Sequence, residues 1–406
     1  MGIWGAATQD HSAGNHMSLT LTALYIGDPK HGVLLIVLDA AAWRRPEDEW
    51  LIRSTVIDAT GLTADRVIFH LTHSHSTPSL CPDDIVREGG EFIEGYLGLV
   101  QERAVDAAQN AIRTAEPACI EWGRGSSRLA GVRDLPAGDR YLTGWNPLVH
   151  ADDTLLVGRV TNSAGTVLAT IVNYACHPTT LAWENHLVSP DYVGAMREVV
   201  ETETHAPCLF LQGAEGDLAP REQYSGELEL AERHGRGLGL SALAALATLP
   251  APAELNRLET PIDAATSAIR LPLKPVESIP DLALRFWPEL DTRTRESRVR
   301  RAEWRRKQAG TGVNADFPLW VWRLGDTFLV ATPGEAYEEL QRELRRRYPR
   351  RPLLVLSLAN GPIWTYFPIA ERFAHNVYQV WHTPFEVGGH EALVERADEL
   401  LAELGA

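Results

Sequence analysis

The run Arg66-Val-Ile-Phe-His-Leu71 is apolar at most positions for the length of one strand, then gives way to Thr72-His-Ser-His-Ser-Thr-Pro78. An unbroken apolar strand must be covered on both faces, so it calls for helices or a second sheet on either side. Alternation along an extended chain predicts His73 and His75 on one face and His70 on the other. Two imidazoles on one face of a strand end, before a proline-marked loop, can share one metal ion. They can equally be two hydrogen-bonded histidines at a surface turn.

The same apolar runs recur along the chain. Strands are expected near 33–39, 66–72, 118–122, 154–160, 166–174 and 207–212, and helices near 92–114, 190–203 and 227–247. Alternation of this kind predicts an α/β fold, with mixed β-sheets and flanking helices. Residues 250–280, richer in proline, read as a crossing between halves of about 1–250 and 251–406. The second half is expected to hold a charged helix at about 295–308 and two strands within 317–332, joined by a hairpin at Gly325-Asp326. A helix at 335–347, a strand at 352–358 and a helix at 390–403 follow. The two halves are expected to form one large catalytic unit.

The 406 residues carry a net charge of −16, which argues against nucleic acid and anionic membranes as partners. The apolar runs are too short to span a bilayer. Cys81, Cys119, Cys176 and Cys208 are scattered and form neither a zinc-ribbon pattern nor a disulfide framework. With no secretion signal at the N-terminus, a cytoplasmic protein acting on a small molecule is expected. The basic clusters at 293–307 and 342–351 are interleaved with glutamate and read as solvated helix faces.

Two further segments carry chemistry. The strand Val167-Leu-Ala-Thr-Ile-Val172 leads into Asn173-Tyr-Ala-Cys-His-Pro178, so His177 also stands at a strand terminus before a proline. Leu209-Phe-Leu-Gln-Gly-Ala-Glu-Gly-Asp217 is a strand running into a glycine-rich turn. There Asp217 can orient a histidine, act as a base, or simply cap a turn. Strand ends leading into loops are where α/β proteins gather binding sites. Ser74, Ser76 and Ser189 read as loop serines that satisfy main-chain groups.

Taken together, these segments resemble the catalytic domain of the neutral/alkaline ceramidases. The matching stretches are His73-Ser-His-Ser-Thr-Pro78, Cys176-His-Pro-Thr179, Val188-Ser-Pro-Asp-Tyr-Val-Gly194, Gly216-Asp-Leu-Ala-Pro220, Thr332-Pro-Gly-Glu335 and Leu358-Ala-Asn360. The resemblance implies a Zn²⁺ enzyme that hydrolyses an amide. It places the metal ligands at His73, His177, Glu335 and Tyr366, with Glu335 at the start of a helix. It also implies Tyr378 and Arg133 near the substrate carbonyl, with Arg140 competing for the arginine role. His75 and Asp217 are the candidate proton carriers. No Gly-x-Ser-x-Gly elbow and no His-x-His-x-Asp-His pattern points to another hydrolase class.

The chain departs from the family at the loop Gln212-Gly-Ala-Glu-Gly-Asp217, where Gly213 stands at the family's catalytic serine. A mechanism that needs that serine is closed, unless water attacks or the missing side chain makes room for another substrate group. The family's C-terminal β-sandwich is also expected to be missing. The expected reaction is therefore hydrolysis of a soluble N-acyl or lactam-type compound by metal-activated water. Acyl transfer, cyclisation or ester hydrolysis at the same metal site, and non-catalytic ligand binding, are the alternatives. Trp145, Trp183, Trp364 and Trp381 are expected to line the pocket.

Overall fold

A computed structural model describes residues 11–28, 31–86, 88–138, 140–250, 261–275, 279, 292–362 and 366–406. The mixed α/β architecture expected from the sequence is the one observed. Three principal sheets form it. The first pairs Leu21–Ile26 antiparallel with Val33–Leu38, which runs parallel to Val67–Leu71. The second has the order Cys208–Gln212, Val167–Tyr174, Thr154–Asn162 and Ala118–Ser126. The third has the order Ile262–Pro272, Asn314–Leu324, Thr327–Ala331 and Leu353–Leu356.

The three sheets share one apolar core. Val33, Leu35 and Ile68 of the first sheet meet Leu156, Ile171 and Leu211 of the second and Trp322, Leu329 and Leu356 of the third. The other side of each sheet is covered by helices, as unbroken apolar strands require. Pro46–Thr60 and Ile93–Arg113 cover the first, Tyr192–Thr204 and Leu228–Leu246 the second, and Glu339–Arg347 and Gly389–Glu403 the third. Among the described residues no helix is long and apolar enough to cross a membrane.

Main-chain and side-chain bonds tie the sheets together at the ends that carry the histidines. Asn360, itself at a left-handed φ of 54°, accepts from Phe69 N at 2.7 Å and donates to Val67 O at 3.0 Å. Ser357 N donates to Gln212 O at 3.2 Å. His70, pointing away from the loop histidines, accepts from Gln212 N at 2.9 Å.

Most of the expected elements lie within a few residues of their predicted bounds, and the Gly325-Asp326 hairpin closes with Leu324 opposite Thr327. One expectation needs correction. Glu335 does not open a helix. It lies on a two-residue strand, Glu335–Ala336, and the helix starts at Glu339. The crossing segment also carries a strand that was not expected, Ile262–Pro272, paired along its length with Asn314–Leu324.

Candidate metal centre

Four strand ends deliver the site. His73 follows Val67–Leu71, His177 follows Val167–Tyr174, Glu215 follows Cys208–Gln212 and Glu335 follows Thr327–Ala331, each two to four residues beyond the strand. All four residues are buried. Their ligating atoms lie within 4.8 Å of one another, the spread that one cation with ~2 Å bonds can bridge.

The imidazoles are fixed from behind. His73 Nδ1 donates to Ala41 O at 2.6 Å. His177 Nδ1 donates to Glu215 O at 2.8 Å and Leu218 O at 2.9 Å. With Nδ1 so engaged, the neutral rings present Nε2 lone pairs to the interior. Those lone pairs meet Glu335 Oε2, at 2.8 Å from His177 and 3.4 Å from His73. Acceptors pressed this closely need a cation between them, either a proton or a metal ion. Burial and the charge of Arg133 push His177 down to about 3. Burial also acts to lower His73, but the carboxylate of Glu335 outweighs it and raises His73. Glu335 is held well below the usual carboxylate range, burial being overcome by His73 and His177. The donor set is that of a divalent-metal site.

His73 and His75 do not converge through strand alternation, because the strand ends at Leu71. A left-handed residue, His73 at φ 69°, turns the chain so that the rings stand 4.6 Å apart with Nε2 atoms at 3.3 Å. A non-glycine residue held there is strained, a feature that concentrates at functional sites. His75 is partly exposed, and burial with the neighbouring charges of His73 and His177 keeps it well below the ordinary histidine range.

Tyr366 is positioned by register. Its two-residue strand runs parallel to Glu335–Ala336, with Glu335 opposite Tyr366, and its ring stacks 6.5 Å from His177. Arg133 follows the short strand Ala130–Val132. Its guanidinium lies 5.3 Å over the Tyr366 ring, donates to Gly216 O at 2.8 Å and is close enough to Tyr224 to interact with it electrostatically. Tyr378 opens the helix Tyr378–His382, is 37% exposed and packs 5.7 Å from Tyr366. Arg140, the competing candidate, lies on the strand Arg140–Thr143.

Asp217 is not brought to the histidines. Its carboxylate accepts from Glu338 N at 2.9 Å and groups with Glu338 and Glu339 instead. The acidic residue of that loop which does reach the cluster is Glu215, which the sequence reading passed over. The loop can press this close because Gly216 has no side chain. A Cβ there would sit 2.5 Å from Glu335 O, and Gly216 N donates to Ala336 O at 2.8 Å.

Gly213 does not open space for a substrate. A Cβ at that position would meet Ala175 Cβ and Gln341 Oε1, both at 2.8 Å. Tyr224 was also missed. It stacks 5.8 Å from Trp183, which is 37% exposed, and so links the arginine to an exposed aromatic rim. Trp145 lies under Arg221 at 5.4 Å, Trp381 is buried, and Trp364 lies outside the described residues. Two of the three serines bond main-chain groups as expected: Ser74 donates to Pro190 O at 2.9 Å and Ser189 accepts from Asp191 N at 3.0 Å, whereas Ser76 accepts from the side-chain amide of Asn185 at 3.0 Å.

No protein-family model and no curated protein matches the chain by sequence. Solved structures do match. A ceramidase complexed with C2 superposes with a TM-score of 0.69 at 15% identity, covering 97% of this chain and 70% of that one. The neutral ceramidase from Pseudomonas aeruginosa gives a TM-score of 0.67 at 14% identity, covering 96% and 68%. At these identities the likeness is one of fold.

Proposed function

We propose that this protein is a zinc-dependent hydrolase that cleaves an amide bond in a soluble N-acyl or lactam-type small molecule. The observation that carries the reading is the buried contact of two imidazole acceptors with Glu335, at 2.8 and 3.4 Å, which calls for a cation. The ceramidase-like fold around it supports amide hydrolysis. Two neutral imidazoles and a carboxylate suit Zn²⁺. When bound, the ion supplies Lewis acidity, activating water and polarising a carbonyl.

The chain's own residues do the remainder. Main-chain carbonyls lock the tautomers of His73 and His177, so both rings offer Nε2 inward. Tyr366 stands opposite Glu335 as a further oxygen donor to the ion. Arg133 and Tyr378 flank Tyr366 and donate to the oxygen of the scissile carbonyl, where charge develops. His75, neutral and partly exposed beside them, takes a proton from the attacking water and passes it to the departing amine. The exposed rim of Trp183 and Tyr378 gives a soluble, partly apolar substrate a surface to rest on.

Purified protein assayed on a panel of N-acyl amides, lactams and esters tests the reading. The expected result is turnover of an amide or lactam that is lost in Glu335→Ala. Turnover of esters alone, or an undiminished rate in Glu335→Ala, contradicts it.

A further inference from the structure

We infer that Glu215 is itself a ligand of the cation, so that the centre carries two carboxylates and two imidazoles. The inference rests on the metal-site reading above and deepens it. Its geometry is that of a ligand, because a Glu215 oxygen lies within 4.8 Å of the ligating atoms of His73, His177 and Glu335.

The environment leaves the carboxylate little else to do. Glu215 has no exposed surface, and neither carboxylate oxygen has a hydrogen-bond partner among the described residues; burial pushes its carboxyl up to about 8, with the charge of His73 opposing only in part. A buried carboxylate without donors is a costly arrangement unless a cation compensates it. Here a second buried carboxylate, Glu335, stands beside it. Two carboxylates and two neutral imidazoles around a divalent ion sum to zero charge, which is the state a dry interior tolerates best.

The backbone is arranged to deliver this side chain. Glu215 O and Leu218 O both accept from His177 Nδ1, so the loop that carries Glu215 also orients a metal-facing imidazole. Gly216, next in the chain, lets that loop lie against the Glu335 strand at a distance no side chain would allow. The position two residues earlier, Gly213, faces Ala175 and Gln341 instead. The loop therefore contributes a carboxylate at Glu215 and no group at Gly213.

The test is metal binding by the full chain. Metal-stripped wild type, Glu215→Gln and Glu335→Gln are titrated with zinc against a chromophoric chelator, and their cobalt(II) spectra are recorded. Glu215→Gln is nearly isosteric and removes one buried charge, so the stripped variant should melt no lower than the stripped wild type. Its zinc affinity should fall by at least ~10-fold, and its cobalt(II) bands should change as a ligand is lost. Wild-type affinity and an unchanged cobalt(II) spectrum in Glu215→Gln, with binding lost in Glu335→Gln, would overturn the inference and leave the proposed site standing. Absence of zinc binding by wild type would overturn both.

Discussion

Placing a serine at position 213 should damage the protein and give nothing in return. A Cβ there would lie 2.8 Å from Ala175 Cβ, 3.1 Å from Ala175 Cα and 2.8 Å from Gln341 Oε1. Ala175 sits in the core beneath the helices Tyr192–Thr204 and Leu228–Leu246, so its backbone has no room to retreat. Gln341 is equally committed, accepting from Ala214 N at 3.0 Å and donating to Asp152 at 2.6 Å. Overpacking of this kind costs about 1–3 kcal/mol. Displacing the Gln341–Ala214 hydrogen bond adds about 1 kcal/mol. The expected loss for Gly213→Ser is therefore about 2–4 kcal/mol, read by urea denaturation at constant m and as a fall in Tm of roughly 2–5 °C for a chain of 406 residues. Hydrolytic activity on the amide panel should not rise. A variant as stable as wild type, or one that gains activity on acyl amides, would show that position 213 faces open space, refuting the packing argument.

Other outcomes follow from the same structure. Asn360→Ala should cost about 3 kcal/mol in denaturant unfolding, since Phe69 N–H and Val67 O both lose their buried partner; a loss below 1 kcal/mol would mean that solvent or neighbours replace it. Tyr378→Phe should lower kcat by about 10²–10³ with little change in KM if its hydroxyl stabilises the developing oxyanion; an equal rise in KM at constant kcat would assign it to binding instead. Burial pushes Lys274 down to about 7, with Glu386 opposing only in part. The unfolded chain therefore holds the extra proton above that pH, and stability should climb by about 2 kcal/mol between pH 7 and 9 through this group. Lys274→Met should remove that climb, and an unchanged pH slope in the variant would contradict the assignment.

How far the sequence disclosed this molecule depends on the element. Runs such as Val33–Leu38 and Cys208–Gln212 are buried along their whole length, so apolarity alone marks them. Ile262–Pro272 escaped because its three alanines and Asp263 are weak strand formers and all but two of its eleven residues are partly buried or exposed. The helix Pro46–Thr60 escaped because its buried face includes Asp48, Glu49 and Arg53, which pair with one another and with Arg45 rather than forming an apolar stripe. At the site, His73, His177, Glu335, Tyr366 and Arg133 were legible through motif resemblance, and the structure gathers them. Glu215 was not, because a glutamate between two glycines looks like turn chemistry until the burial of both its oxygens is seen. Asp217, one glycine further on, drew attention that its bond to Glu338 N does not repay. The placement of Glu335 on a strand shows why local reading fails there, since only its pairing with Tyr366, far along the chain, makes that strand.

The central claim is that one divalent cation sits among His73, His177 and Glu335. Zinc titration of metal-stripped protein, followed by elemental analysis after gel filtration, measures it directly. The account predicts one tightly held ion per chain, loss of that ion in Glu335→Ala, and a melting temperature that rises with zinc, by the equivalent of about 2.7 kcal/mol at a hundredfold excess over Kd. A wild-type chain that retains no zinc and melts at the same temperature with and without it would contradict the account.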